Sequence, residues 1–297
     1  IGLIVAGIIL LFGYFVHKPR LEKVSSIYHE DEIIGHLNKY GGTELSHLIF
    51  THDKYIFWNK EKTVLFTYQT YADKIVVLGN PVGEKEDFSS TIEELLETAD
   101  LYGYTPIYYE VDRGFIPHLH EYGYGFFKLG EEAFVNLENF AFAGKKMKSA
   151  RAIKNKFERE LLEVEILAPP FNTELMQQLR IVSDEWLRGR KEKGFSLGFF
   201  DEQYLDTSPL VVMRGKEGIV GFANLMPMYD GDTVLSVDLM RFKRDAPSGT
   251  MDYIFLYLFE WAKEAGYKKF NLGMAPLSNV GLSKYAFLPE KLALQLF

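Results

Sequence analysis

The sequence predicts an α/β (α+β) protein built from two similar units, and three observations carry that prediction. Residues 235–276 read as strand, loop, helix and strand. An apolar run ends near Asp238 and Arg241, a loop carries Asp245, Pro247 and Gly249, a helical pattern covers 248–265, and 268–272 begins another strand. The same design occurs earlier: one helix closes in ADLYGY (99–104) and another in AKEAGY (262–267), each followed by a strand, as a duplicated unit would give. Finally, 297 residues with 47% hydrophobic and 25% charged composition suffice for two globular cores.

Composition removes several chemistries. There is no Cys, which excludes thiol nucleophiles, disulfides and Cys-ligated zinc and fits a reducing compartment. All seven His lie between positions 17 and 120. Acid/base work in the C-terminal half therefore falls to carboxylates, Lys, Tyr, backbone or substrate groups. A net charge of −8 argues against a chain that coats nucleic acid uniformly, and leaves room for a local basic patch.

In chain order, IGLIVAGIILLFGYFV (1–16) is uncharged and apolar, and His17, Lys18, Arg20 and Lys23 follow it. Basic residues after the apolar run fit the cytoplasmic end of a transmembrane helix (1–18) that continues upstream. A buried helix of a soluble protein is the alternative.

The first unit is expected over 30–143. A short helix covers 29–40. Strands are expected at 48–58, 63–71 and 74–78, with turns at 59–62 and 72–73. Asn80-Pro81-Val82-Gly83 breaks the pattern. Ser89 or Ser90 caps a helix that stops at Gly103. A strand at 106–111, a helix at 113–122 and a strand pair at 125–137 around Gly130 complete the unit. His118 and His120 face different ways on a helix and have no evident third ligand, so no metal site is expected and the unit reads as scaffold.

A basic bridging helix is expected over 144–161. Lys145, Lys146, Lys148, Arg151, Lys154, Lys156 and Arg159 stand against only Glu158 and Glu160. Met147, Ala150, Ile153 and Phe157 recur at helical spacing, so one face packs. The other face is either a solvated surface or a binder of phosphates.

The second unit is expected over 162–297. A strand at 162–167 precedes a helix capped by Asn172 or Thr173, with Leu175, Leu179, Val182 and Trp186 on its apolar stripe. Trp186 reads as core. The Gly-rich basic run from Arg188 to Gly198 reads as a substrate loop, and Tyr204 lies in a short helix. A hairpin at 209–214 and 218–228 and a strand at 234–241 lead into the opening segment.

This order of elements is similar to the acyltransferase fold of the GCN5-related (GNAT) family, here in tandem. That family cradles the pyrophosphate of coenzyme A on the backbone amides of a Gly-rich loop before its long helix. The matching loop here, 241–250, has one Gly. Pro247 removes a donor and Asp245 adds a negative charge. The resemblance therefore implies an acyl donor other than a coenzyme A ester, such as one carried on RNA.

GKKMKSARAIKNKFERE (144–160), SDEWLRGRKEKGFSLG (183–198), ANLMPMYD (223–230), SVDLMRFKRDAPSGTMD (236–252) and FNLGMAPLSNVG (270–281) together resemble the C-terminal domain of the phosphatidylglycerol lysyltransferases, the multiple peptide resistance factor family. YGGTELSHL (40–48) and GNPVG (79–83) fit the first half of that domain. The resemblance implies transfer of an aminoacyl group, lysyl or alanyl, from aminoacyl-tRNA to phosphatidylglycerol at the inner leaflet of the cell membrane, without a cofactor. It also implies an upstream multi-pass flippase-like domain, a cytoplasmic position for this domain, and further helical and basic chain beyond Phe297. An acyl-CoA-dependent N-acetyltransferase and a non-catalytic, membrane-tethered binding module are the alternatives.

The expected roles follow from chemistry. Asp238 is the candidate general base, and Arg241 the candidate for the lipid phosphate or the oxyanion. In a straight strand these two point to opposite faces, so they converge only if the strand bends or ends between them; a structural ion pair is the alternative. Asn224, Met226, Asp252, Asn271 and Met274 are candidate substrate contacts. Lys145, Lys146, Lys148, Arg151, Arg190, Lys191 and Lys193 are candidate contacts for tRNA or lipid phosphates.

Overall fold

A computed structural model describes residues 29–160, 162–229, 231 and 233–295. The expected membrane segment 1–18 lies outside them. Among the described residues no helix is long and apolar enough to cross a membrane. Packing divides the chain into two units: 36–53 joins 124–297 in the second, and the described part of the first is 29–35 with 54–123. The units therefore do not coincide with the expected 30–143 and 162–297.

The described chain opens with α1 (Glu30–Tyr40), then a short α2 (Glu44–His47) and a 3-10 turn, Leu48–Thr51. The strand expected over 48–58 is thus shorter. His52 adopts a left-handed φ of 55° that ends the turn, and only β1 (Tyr55–Trp58) is extended.

In the first unit β1 pairs with β2 (Val64–Tyr71) and β2 with β3 (Lys74–Gly83), both antiparallel. The chain then crosses through α3 (Phe88–Tyr102) to β4 (Thr105–Tyr109), parallel to β3. Pro81, expected to break the strand, lies inside β3. It sits where the β2 register shifts between Leu65 and Thr67, so its missing N–H is tolerated. The helix expected to start after Ser89 or Ser90 begins at Phe88. Asp87 holds the N-cap position without capping, because its carboxylate takes the Thr63 hydroxyl at 2.5 Å. Gly103 closes α3 in a left-handed conformation, as expected, with the Tyr104 amide on the Ala99 carbonyl at 2.7 Å. In α4 (Ile116–Glu121) the His118 ring packs on Phe88 and Phe115.

The second unit has a six-stranded sheet. The pair expected around Gly130 is one strand, β5 (Gly130–Asn136), and it pairs with β10 (Lys269–Pro276) of this unit. Gly130 permits this because a Cβ there would strike the Ala275 carbonyl. The basic helix, α5 (Lys148–Arg159), also belongs here. Phe157 stacks on Tyr253 at 4.8 Å, and Lys154 pairs with Glu260. β6 (Glu163–Leu167), α6 (Thr173–Leu187), α7 (Glu202–Leu205), β7 (Leu210–Gly215), β8 (Gly218–Met226), β9 (Val234–Phe242), α8 (Thr250–Glu264) and α9 (Leu288–Gln295) complete it.

The sheet order is β5-β10-β9-β8-β7-β6, with β9 and β10 parallel across α8 and the other pairs antiparallel. Alternation along the strands feeds two cores. Val211, Met213, Ala223, Leu225 and Leu235 pack under α8 with Ile254, Leu258 and Ala262. Leu210, Val212, Phe222 and Leu239 pack under α6 with Met176, Leu179 and Val182. Both units thus carry the expected acyltransferase-like plan of antiparallel strands followed by a helix and a parallel strand.

Candidate active site

The site forms on the α6 face of β9, and a bulge creates it. Ala223 faces Met240 and Leu225 faces Val237, so β9 carries one more residue than β8 over this stretch. Val237 and Met240 pack toward α8, whereas Leu239 packs toward α6. The extra residue resets the alternation. Asp238 and Arg241, three apart, therefore share the α6 face. Asn224 holds the bulge open: it is fully buried, and its Oδ1 accepts the Leu239 amide at 2.7 Å.

The Asp238 carboxylate is held from the segment before α7 and from α7 itself. The Gly198 amide donates to Oδ1 at 2.9 Å and the Tyr204 hydroxyl to Oδ2 at 2.8 Å. Position 198 must be Gly, since a Cβ there would overlap Asp238 Oδ2 and lie 2.9 Å from Tyr204 Cε1. Burial, and then the Asp238 charge, push the Tyr204 hydroxyl well above its ordinary value, so it stays a donor.

Arg241 is 7% exposed. Its guanidinium lies 3.9 Å from the centre of the Trp186 ring, and Nη2 donates to Glu192 Oε2 at 2.9 Å. Nε is buried with no hydrogen-bond partner. Burial draws this guanidinium below its ordinary value, the charges of Glu192 and Asp238 oppose that, and Arg190 adds to it.

His47 reaches this region from the N-terminal half. It is buried, with Nδ1 2.8 Å from the Tyr229 hydroxyl and Nε2 3.0 Å from Thr207 Oγ1. The Thr207 hydroxyl donates its proton to the Tyr204 carbonyl at 2.6 Å. Nε2 must then donate to Thr207, and Nδ1 accept from Tyr229. Burial lowers its pKa to about 3, so His47 stays neutral. The second unit thus contains a His after all, although the chain after position 120 does not.

The other expected contacts scatter. Met226 is buried beneath Tyr204, its sulfur 3.3 Å from the hydroxyl. Asn271 is buried on β10, where its Oδ1 accepts the Gly273 amide across a register shift and its Nδ2 meets both Glu44 and Glu132 at 3.2 Å. Met274 is half-buried beyond that shift. Asp252 is exposed on α8, which covers the opposite face of the sheet, so it is not brought to Asp238 and Arg241.

Of the basic residues, Lys145, Lys146, Lys148, Lys191 and Lys193 are exposed. Arg151 is spent on the Phe142 and Gly144 carbonyls. Arg190 donates to the Leu187 and Trp186 carbonyls at the end of α6 and stacks on Trp186 at 4.9 Å. The loop before α8 closes on itself: the Ala246 amide donates to the Lys243 carbonyl and the Thr250 amide to the Pro247 carbonyl, both at 3.1 Å. The Ser248 carbonyl points at Lys156. Among the described residues no group of three His, Asp or Glu side chains could hold a metal.

Sequence reasoning missed Glu192, His47 and the role of Gly198, and placed Trp186 in the core. The signal available was GFSLG, with glycines at both ends of a stretch that has no helical or strand period.

A model of the phosphatidylglycerol lysyltransferase C-terminal region matches residues 35–297. The phosphatidylglycerol lysyltransferase of Bacillus subtilis (strain 168) is 43% identical over 296 residues, 99% of this chain and 34% of that protein. The Staphylococcus aureus (strain COL) protein of the same name is 43% identical over 298 residues, 100% and 35%. This chain spans about a third of the length of these relatives. Among solved structures, L-PGS from Bacillus licheniformis aligns with a TM-score of 0.81 at 47% identity, covering 86% of this chain and 82% of that one. The C-terminal domain of a putative lysylphosphatidylglycerol synthetase from Agrobacterium fabrum gives 0.77 at 31% identity, covering 83% and 79%.

Proposed function

The chain belongs to the family of phosphatidylglycerol lysyltransferase C-terminal domains, and on that premise we propose that it transfers an aminoacyl group from aminoacyl-tRNA to a glycerol hydroxyl of phosphatidylglycerol. One observation carries the assignment of the site: the β9 bulge sets Asp238 and Arg241 on the same face. The lipid hydroxyl oxygen attacks the carbonyl carbon of the aminoacyl ester as Asp238 takes its proton. The tetrahedral intermediate collapses, the bond to the tRNA ribose oxygen breaks, and Asp238 returns the proton to that oxygen. Tyr204 and the Gly198 amide fix the carboxylate, and Arg241 supplies positive charge for the phosphate or the oxyanion.

Lysyl is favoured over alanyl. Glu44 and Glu132 both reach the amide of Asn271, and paired carboxylates suit an ammonium better than a methyl. The exposed lysines 145, 146 and 148 suit the tRNA backbone. The reaction belongs at the inner leaflet of the cell membrane, with this domain on the cytoplasmic side of an upstream flippase-like domain. Adding a lysyl group lowers the negative charge of the membrane and so resists cationic antimicrobial peptides.

The test supplies labelled lysyl- and alanyl-tRNA with phosphatidylglycerol vesicles and separates the lipids by chromatography. Lysyl-phosphatidylglycerol is expected from the wild type. Asp238→Asn is expected to lower the rate about 10²–10⁴-fold. If Asp238→Asn and Arg241→Ala both left transfer intact, the site assignment would be wrong.

A further inference from the structure

The segment between α6 and α7 is irregular, and carboxylates fasten it. The Phe195 amide donates to Asp53 Oδ2 at 2.8 Å, Gly198 to Asp238 Oδ1 at 2.9 Å, and Phe200 to Glu192 Oε1 at 3.2 Å. Glu192 therefore divides its carboxylate. One oxygen answers Arg241, and the other holds the far end of its own segment.

Arg241 is only partly answered. It lies on Trp186, which also carries Arg190, and its buried Nε has no acceptor. A guanidinium is a planar fork that matches two oxygens of one anion, and Glu192 gives it only one. An N–H left bare in a buried site is costly, so the site is short of an acceptor.

We propose that Arg241 on Trp186 is the seat of the acceptor lipid's phosphodiester, and that Glu192 holds that place until the phosphate displaces it. A phosphodiester presents two oxygens to the fork, which a carboxylate shared with Phe200 does not. Displacement frees the Phe200 end of the segment. The lipid is favoured over the RNA because the seat shares its strand face with Asp238, which takes a proton from the acceptor. In phosphatidylglycerol one glycerol separates the phosphate from that hydroxyl. This inference rests on the lipid-acceptor reading above.

Glu192→Gln decides the matter by sign. Gln keeps an oxygen for the Phe200 amide and loses the charge that competes for Arg241. In the whole protein the KM for phosphatidylglycerol is expected to fall about five-fold with kcat little changed, the scale of one partly buried ion pair. A KM that rises or stays put means that Glu192 only orients Arg241 and overturns the proposal. A fall confined to the KM for aminoacyl-tRNA assigns the seat to RNA and overturns it as well. A binding arm without tRNA reads the seat alone, by titrating glycerophosphoglycerol or inorganic phosphate and following tryptophan emission. Tighter headgroup binding by the Gln variant, and its loss in Arg241→Lys, supports the seat. Equal gains for inorganic phosphate point to a general anion site and overturn the lipid assignment. A wild type that binds the headgroup but makes no aminoacyl-lipid sinks the proposed reaction and leaves the seat standing.

Discussion

His47 carries the clearest pH signature of any single residue. Burial lowers its pKa from 6.5 to about 3, so the unfolded chain takes up a proton that the folded chain refuses. Its contribution is present above pH 6.5 and is lost as the pH falls toward 3, amounting to roughly 5 kcal/mol at the acid end. His47→Gln is expected to cost about 1 kcal/mol at pH 7 through a lost hydrogen bond, yet to flatten the acid slope. Urea midpoints at pH 7 and pH 4 check this: the gap between wild type and variant should narrow or reverse at pH 4, and a constant gap would remove the buried neutral His from the account. His47 also shows how chain position misleads. Every imidazole lies at or before position 120 in the sequence, and the tertiary fold brings one beside Tyr204, ring centres 5.8 Å apart.

Among the elements, β9 decides the chemistry. Its apolar pattern made it legible as a strand, and Asp238 and Arg241 were legible as its candidate reactive residues. Their convergence was not, because a bulge is a property of a strand pair: it exists only when β8 supplies Ala223 and Leu225 against Met240 and Val237. The sequence suggests Asn224 as a substrate contact, but its side-chain carbonyl accepts the Leu239 amide. Asn224→Ala leaves that buried amide bare and is expected to destabilise the protein by about 1–3 kcal/mol. It should also lower transfer at least ten-fold at temperatures where the fold persists, because the bulge no longer has its plug. Thermal unfolding together with the transfer assay separates the two effects, and a stable but inactive variant is the expected picture at low temperature. The segment before α7 makes the same point. Its sequence announced a loop, yet Asp53, Asp238 and Glu192 come from three separate places to fasten it.

Across the whole molecule, burial sorts the basic residues into two groups that look alike in sequence. Lys145, Lys146 and Lys148 are exposed, whereas Arg151 braces the chain at Phe142 and Gly144. Replacing the three lysines with Ala is expected to change stability by less than about 0.5 kcal/mol and to weaken tRNA binding. The slope of log affinity against log salt should fall by about two. Arg151→Ala should do the reverse, lowering the unfolding midpoint more than the salt slope. Filter binding over a salt series measures both, and an unchanged slope in the triple variant would move the tRNA surface elsewhere. By itself the sequence determined the α/β class, the repeated strand–helix–strand plan, the residue types available for catalysis and the likeness to one transferase family. Periodicity, caps and motif order are written locally along the chain. The tertiary structure alone decided that 36–53 and 124–143 fold with the second unit, that His47 stands beside Tyr204, and that Asp238 and Arg241 face one way. Those outcomes depend on strand register and on which distant backbone groups are left to be paired, and neither is fixed until the sheet has formed.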